Sequence, residues 1–211
     1  MTTTITNVEM VLPDGAITNA TVNTNAGIET SKLESRTSQI FPVAFNNFFV
    51  WDAAQTNLPG TAANDDLAII TGTLGTDSPT LQTGDLKAAG STTRYAGFMV
   101  PVPQNYQDGQ TFVIRVRAGM VTTVADTAAS IDLEVYAVDR DGGVSADLCQ
   151  TSSASINALT KASVDFTIDA TGLDPGDLLM GRIAILVNDG ATGTAVIGEC
   201  SHAEIRCTTR G

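Results

Sequence analysis

Apolar and polar residues alternate along several short stretches of the chain, with the period of two that is typical of half-buried strands. In Thr111–Met120 every second residue is apolar, and the opposite face carries Arg115 and Arg117. Ser130–Asp139 and Ser163–Ala170 repeat this alternation. Each of these stretches predicts a strand with one face against a core and one face toward solvent or a partner.

Further stretches have strand length but a different pattern. Asp177–Asp189 is apolar on both faces, which predicts a central strand. Shorter strands are predicted within Leu67–Gly72, Tyr95–Val102 and Ala195–Cys207. Between them, the composition of Thr73–Thr93 favours a long loop, and Asp147–Leu159 is the best candidate for a short helix.

The number and order of these elements indicate the fold class. About eight strands separated by turn residues, with no alternation of strands and helices, predict an all-β protein. Alternating strands bury their apolar faces best when two antiparallel sheets pack face to face. We therefore predict an antiparallel β-sandwich, specifically a jelly roll, with an extended N-terminal arm and at most one short helix.

The two arginines of the alternating strand at Thr111–Met120 pose a question of function. Asp132 and Glu134 repeat their spacing on the outward face of the next strand. If those strands are neighbours, cross-strand pairs join Arg115 and Arg117 to these carboxylates, each contributing roughly 0.2–1 kcal/mol. We interpret the arginines as a paired solvent face or as the rim of an interface, not as catalytic groups.

The N-terminal third of the chain has a different character. Residues 1–35 lack apolar periodicity and predict an extended arm or short edge strands. The next segment, Gln39–Asp52, concentrates five aromatic residues, in a chain that is only 5% aromatic. They are Phe41, Phe45, Phe48, Phe49 and Trp51. They form either a core strand with a packing segment or an anchor into a partner, since aromatics dominate interface hot spots. We divide the chain into an arm and packing segment, 1–60, and a sandwich domain, 61–211.

Charge and cysteine content exclude several classes of function. A net charge of −12 argues against a nucleic-acid partner, which requires clustered Lys and Arg. No apolar run approaches the roughly 18 residues that span a bilayer, and the first residues do not resemble a signal peptide. Three cysteines, an odd number, do not suggest a secreted disulfide framework. We expect synthesis in a reducing cytoplasm and no membrane partner.

Candidate catalytic or metal-binding residues are few. His202 is the only histidine, and no G-x-S-x-G motif supplies a nucleophile for it. Cys200, Cys207 and Cys149 could complete a zinc site with His202, but without a C-x-x-C motif packed thiols are the simpler interpretation. The loop Asp139–Asp147 offers oxygen ligands for calcium, although it lacks EF-hand spacing and an Asp- and Gly-rich turn explains it equally well. No phosphate or dinucleotide motif is present, so we predict no cofactor and no enzymatic activity.

Residues 94–190 and the final strand carry a resemblance to a known group of proteins. It rests on the order of segments and on the phrases VPQNYQDG, DLEVYAVDRDG, SADLCQT and GLDPGD. In these the chain resembles the capsid cement or decoration proteins of tailed bacteriophages. The resemblance implies a non-enzymatic virion protein that binds the outer surface of an icosahedral capsid, with the major capsid protein as partner and a homotrimer as its own assembly.

Two alternatives from other classes remain open. The first is a β-sandwich module that binds carbohydrate or a host surface, for which exposed Trp and Tyr would be needed to stack on sugar rings. The second is a hydrolase on a jelly-roll scaffold. Under the capsid hypothesis, the five aromatic residues between Phe41 and Trp51, together with Arg115 and Arg117, are the candidate contacts to the capsid or to neighbouring subunits.

Overall fold

The computed structural model describes residues 36–87, 90–139, 141–190 and 193–210. In these ranges it contains eleven β-strands and no α-helix, with a single 3-10 turn at Phe45–Asn47. The prediction of an all-β fold is therefore confirmed.

The eleven strands of the described ranges have the following bounds. They are β1 Arg36–Pro42, β2 Phe48–Phe49, β3 Ala68–Ile70, β4 Thr80–Gln82, β5 Gly90–Pro101, β6 Phe112–Met120, β7 Ala128–Val138, β8 Ala154–Ser155, β9 Ala162–Ile168, β10 Leu178–Asp189 and β11 Gly198–Arg210.

The strands form two antiparallel sheets that pack face to face. Sheet I has the order β3-β4-β11-β6-β9, and β1 pairs with β11 as well, from Arg36 opposite Arg210 to Pro42 opposite Glu204. Sheet II has the order β2-β5-β10-β7-β8. This is the predicted β-sandwich of the jelly-roll kind, and β10 lies at the centre of sheet II, as its two-sided apolar pattern predicts.

The core lies between the sheets and follows the alternation in the sequence. Ile114 and Val116 of β6 point into it from sheet I, and Leu133 of β7 and Ile185 of β10 point into it from sheet II. Gly181 is required in this core because a Cβ atom there would lie 2.2 Å from Cζ of Phe98. Along β7 and β10 the residues between these core positions point away from the core, and with their neighbours on β5 they form the outer face of sheet II.

The predicted helix at Asp147–Leu159 is wrong. The segment instead pairs with its neighbours: the N–H of Leu148 bonds to Val135, and Cys149 forms a bridge with Ile168. The side chain of Asp147 accepts the N–H groups of Val135 and Cys149 at 2.9 and 3.0 Å. These non-local hydrogen bonds satisfy main-chain groups that a helix would have paired locally.

The predicted loop at Thr73–Thr93 is interrupted by strands. Its middle contains β4, which pairs with both β3 and β11, and β5 begins at Gly90. β4 has only three residues, too few for alternation to reveal it.

The predicted pairing of Arg115 and Arg117 with Asp132 and Glu134 is also wrong. β6 belongs to sheet I and β7 to sheet II, so the chain crosses the sandwich between them. Arg115 instead pairs with Asp165 of β9, its partner in the strand register. The guanidinium of Arg115 holds the pKa of the Asp165 carboxyl below its usual range.

The predicted arm at residues 1–35 lies outside the described residues. Of the packing segment, β1 and β2 are strands of sheets I and II. The division of the chain at residue 60 stays a prediction.

Candidate functional site

A cleft lies on the outer face of sheet II, where three long strands run side by side. The register of β5, β10 and β7 places two rows of side chains on this face. One row is Gly97–Arg182–Glu134 and the next is Met99–Met180–Tyr136. Phe49 of β2 and Trp51, which follows it, lie beside Gly97 and close the cleft on one side.

The aromatic cleft, as we name it, has a volume of about 330 Å³. Its wall combines aromatic rings, two methionines and one charged pair. The side chains that define it are Phe49, Trp51, Met99, Glu134, Tyr136, Met180 and Arg182. Tyr95 lies next to it and contacts Arg182.

Arg182 is the central side chain of the aromatic cleft. Its Nη2 atom donates to both carboxylate oxygens of Glu134, at 2.8 Å each. Its guanidinium carbon lies 4.6 Å from the ring centroid of Trp51 and 4.7 Å from that of Tyr95. Such cation–π contacts stabilise a partly exposed site by roughly 0.5–1 kcal/mol each, so Arg182 fixes both rings and the carboxylate in one arrangement.

Trp51 is oriented by a second contact. Its indole Nε1–H donates to Oδ2 of Asp65 at 3.1 Å, and its ring centroid lies 5.4 Å from that of Tyr95. Asp65 is itself held by the main chain, because its carbonyl accepts the N–H of Tyr95 at 2.7 Å. The indole is therefore fixed both at its nitrogen and on its ring face.

Phe49 can reach the sheet because its partner in the register is a glycine. A Cβ atom at Gly97 would lie 2.5 Å from Cε2 of Phe49, closer than side-chain atoms approach one another. The missing side chain creates the space in which the Phe49 ring packs on the sheet, at the edge of the cleft.

Tyr136 and the neighbouring carboxylates set the electrostatics of the other side. The Tyr136 hydroxyl lies 3.4 Å from Oε2 of Glu134. Burial, followed by the negative charges of Glu134 and Asp147, raises the pKa of Tyr136 above its usual value. The phenol is therefore neutral at physiological pH and has an O–H group to donate.

The five aromatic residues between Phe41 and Trp51 do not form a single surface. Phe48 is buried, with its ring 5.5 Å from that of Phe98, and Phe41 and Phe45 pack against the core. Phe49 and Trp51 lie in the aromatic cleft. Core packing thus accounts for three of the five residues, and the other two line the cleft.

The two arginines singled out in the sequence lie far from this cleft in the fold, on the outer face of sheet I. Arg115 is paired with Asp165, and Arg117 is exposed beside Lys161 and His202 in an open groove. The structure therefore does not bring Arg115 and Arg117 together with Phe49 and Trp51. The contact of these residues with a neighbouring subunit stays a prediction.

The possible metal ligands do not converge. Oδ1 of Asp139 accepts the N–H groups of Asp141 and Gly143 at 2.8 Å each, which is the hydrogen bonding of a tight turn. Cys200 and Cys207 are buried, and the Cys200 thiol points to the carbonyl of His202 at 3.4 Å. Across the four described ranges, no group of three Asp, Glu, His or Cys side chains is placed to hold a metal ion.

Six side chains of the site were not singled out as site candidates by the sequence: Tyr95, Met99, Glu134, Tyr136, Met180 and Arg182. Alternation placed Glu134 and Tyr136 on an outward face, but it gave no indication that β10 would bring Arg182 between β5 and β7. Gly97 and Gly181, two glycines inside strands, were the remaining signal of a close approach.

No protein-family model matches the chain, and no curated protein matches its sequence. Solved structures do resemble it. A xylan-binding module, CBM15, is 17% identical, with 83% of this chain and 100% of that chain covered and a TM-score of 0.46. The CBM22-2 xylan-binding domain of Paenibacillus barcinonensis Xyn10C is 14% identical, with 79% and 98% covered and a TM-score of 0.42. The CBM22-1 xylan-binding domain of the same protein is 11% identical, with 69% and 83% covered and a TM-score of 0.39.

These structures contradict the prediction of a capsid cement protein, because they are carbohydrate-binding modules. What they share with this chain is the β-sandwich. At such identities the likeness is one of fold alone. The homotrimer and the synthesis in a cytoplasm stay predictions. No helix in the described ranges is long and apolar enough to cross a membrane.

Proposed function

We propose that this protein is a carbohydrate-binding module that holds a glycan in the aromatic cleft. The observation that supports the proposal best is the grouping of Trp51 and Phe49 with the Arg182–Glu134 pair on one outer sheet face. An apolar cleft with a few fixed polar groups is the usual form of a small-ligand site, and about 330 Å³ lies within the usual size range.

The chemistry of a pyranose matches these groups. A sugar ring has a flat C–H face, which packs on an aromatic ring, and a rim of hydroxyl groups, which donate and accept hydrogen bonds. Trp51 and Phe49 supply the rings. Glu134 accepts from hydroxyls, and the guanidinium of Arg182 and the Tyr136 hydroxyl donate to them. Hydrogen bonds that involve a charged partner are stronger than those between neutral groups. The Arg182–Glu134 pair therefore fixes the orientation of the bound sugar.

The site is also largely organised before a ligand arrives. Trp51 is held by Asp65 and Arg182, and Arg182 by Glu134. Ordering a flexible side chain on binding costs roughly 0.5–1.5 kcal/mol. A site whose side chains are already fixed avoids most of that cost.

We further propose that the module binds without hydrolysing its ligand. Glycosidases pair a protonated carboxylic acid with a second carboxylate across the scissile bond. Both oxygens of Glu134 accept from Arg182, and among the described residues no second carboxylate lines the cleft. Release of reducing ends from a bound polysaccharide would contradict this part of the proposal.

The proposal is tested by affinity electrophoresis in gels that contain individual soluble polysaccharides. The wild-type chain is compared with Trp51→Ala and with His202→Ala, an exposed ring on sheet I that serves as the matched control. We expect at least one polysaccharide to retard the wild type and the control equally, and Trp51→Ala to migrate freely. No retardation by any polysaccharide, or equal retardation of a folded Trp51→Ala variant, would overturn the proposal.

A further inference from the structure

The charges around the aromatic cleft limit the class of glycan that it can take. This inference rests on the proposed function. The whole chain has a net charge of −12, and several carboxylates lie in or near the cleft. Glu134 lies inside it, and Asp132 is exposed two residues earlier on the same face of β7. Asp65 contacts Trp51, and Asp147 lies behind Tyr136.

The cations of this region are already engaged. Within the described ranges Arg182 is the only basic residue in the lining of the cleft. Its Nη2 atom donates to Glu134, and the ring centroids of Trp51 and Tyr95 lie 4.6 and 4.7 Å from its guanidinium carbon.

Arg94 of β5 is half-buried and lies on the opposite face of sheet II, because its partner in the register is the core residue Ile185. Its Nη1 atom lies 3.5 Å from the carbonyl of Asp66. Burial lowers the pKa of Arg94. The charge of each guanidinium is therefore already balanced by a neighbouring carboxylate, Glu134 for Arg182 and Asp66 for Arg94.

Carboxylates lie on both sides of the cleft. On the β7 side, burial raises the pKa of the Cys149 thiol, and Asp147 and Asp132 add smaller contributions. On the Trp51 side, burial raises the pKa of Asp66, and Asp65 and Asp52 add smaller contributions. Negative charge is therefore not confined to one residue of the site.

We propose that the aromatic cleft selects uncharged glycans and excludes polyanionic ones. A uronate or sulfate group in the cleft would lie among carboxylates and would compete with Glu134 for Arg182, and unpaired like charges oppose association. A neutral sugar meets no such repulsion, and its hydroxyls can donate to the same carboxylates. The acidic surroundings thus act as a filter on ligand charge, while the rings and the Arg182–Glu134 pair supply the attraction.

The experiment compares polymers that share a backbone and differ in charge. Hydroxyethyl cellulose is compared with carboxymethyl cellulose, and fully methyl-esterified homogalacturonan with its de-esterified form, at low and at high salt. We expect the affinity for the anionic member of a bound pair to be at least about tenfold lower at low salt, and the difference to shrink as salt screens the charges.

Matched variants locate the effect. Asp132→Asn removes one charge from the outer face of sheet II, and Asp108→Asn removes one from an exposed turn before β6. We expect Asp132→Asn to narrow the difference between the neutral and anionic polymers and Asp108→Asn to leave it unchanged. Equal or tighter binding of the anionic polymer that depends on Trp51 would overturn the inference and leave the proposed function standing. Failure of every neutral and anionic polymer to bind would instead refute the proposed function and the inference together.

Discussion

The guanidinium of Arg182 lies 4.6 Å from the ring centroid of Trp51, although the two residues are distant in sequence. β10 carries Arg182 to the centre of sheet II, and the turn after β2 places Trp51 over it. The same guanidinium bonds both oxygens of Glu134. The contact thus joins the aromatic and the polar halves of the cleft.

Replacing Arg182 by methionine should separate binding from stability. Arg182→Met removes the donor and the cation–π contacts but keeps most of the apolar stem, so we expect glycan affinity to fall by roughly 10–100-fold, equivalent to about 1.5–3 kcal/mol. Arg115→Met is the matched control, since Arg115 also pairs with a carboxylate across strands, on the outer face of sheet I. In urea titrations we expect Arg115→Met to leave the unfolding free energy nearly unchanged, and Arg182→Met to lower it by roughly 1–2 kcal/mol because it also removes two cation–π contacts. Similar loss of glycan binding in both variants would contradict the assignment of the site.

Asp65 should position Trp51 without touching the ligand. Asp65→Ala removes the acceptor of the indole N–H, so the ring gains freedom and we expect weaker binding, with higher mobility in the fluorescence anisotropy decay of Trp51. Asp65→Asn keeps an acceptor oxygen and should restore most of the affinity. If Asp65→Asn is as defective as Asp65→Ala, the negative charge of Asp65 matters and not its hydrogen bond.

A single methyl group at Gly97 should disturb the cleft. Gly97→Ala would place Cβ 2.5 Å from the Phe49 ring, so the ring must move; we expect weaker binding and a loss of roughly 1–3 kcal/mol in stability. Gly60→Ala is the control, because a Cβ atom there would meet no atom within 4 Å. Calorimetric titration and thermal unfolding of both variants check the prediction. Unchanged binding by Gly97→Ala would show that Phe49 is not part of the site.

The buried thiols should make the fold sensitive to alkali. Burial raises the pKa of Cys200 from 9.0 to about 12 and that of Cys207 from 9.0 to about 11. Between pH 9.0 and about 12 the Cys200 thiol keeps its proton in the folded chain but loses it in the unfolded chain. The free energy of unfolding therefore falls as the pH rises through this range. Urea titrations should show this decline, and Cys200→Ala should show a shallower one. Parallel declines in the two proteins would mean that Cys200 is not buried as described.

The sequence predicted the layers of this fold better than their connections. Alternation in β6, β7 and β10 indicated which side chains enter the core, because a pleated strand fixes which residues share a face. It gave no information on which strands are neighbours. Arg115 and Glu134 were therefore paired with the wrong partners, since β6 and β7 lie in different sheets.

The cleft residues likewise divide into those that the sequence indicated and those that only the pairing of strands reveals. The aromatic residues Phe49 and Trp51 stood out because so few aromatics occur in the chain. Tyr95 and Arg182 did not stand out, because they become neighbours only through the pairing of β5 with β10. In that register Tyr95 lies opposite Ala184 and Arg182 lies opposite Gly97. Likewise, the segment Asp147–Leu159 was assigned to a helix because its hydrogen bonds to β7 and β9 are not visible locally.

The most direct test of a glycan site at the aromatic cleft is a fluorescence titration, since Trp51 is the only tryptophan of the chain. The wild-type chain is titrated with a neutral oligosaccharide taken from a polysaccharide that it binds, and the dissociation constant is compared with the calorimetric one. We predict a saturable change in Trp51 emission with the same dissociation constant, and no such change with an oligosaccharide that calorimetry shows is not bound. Calorimetric binding that leaves Trp51 emission unchanged would place the glycan elsewhere on the protein and contradict the account.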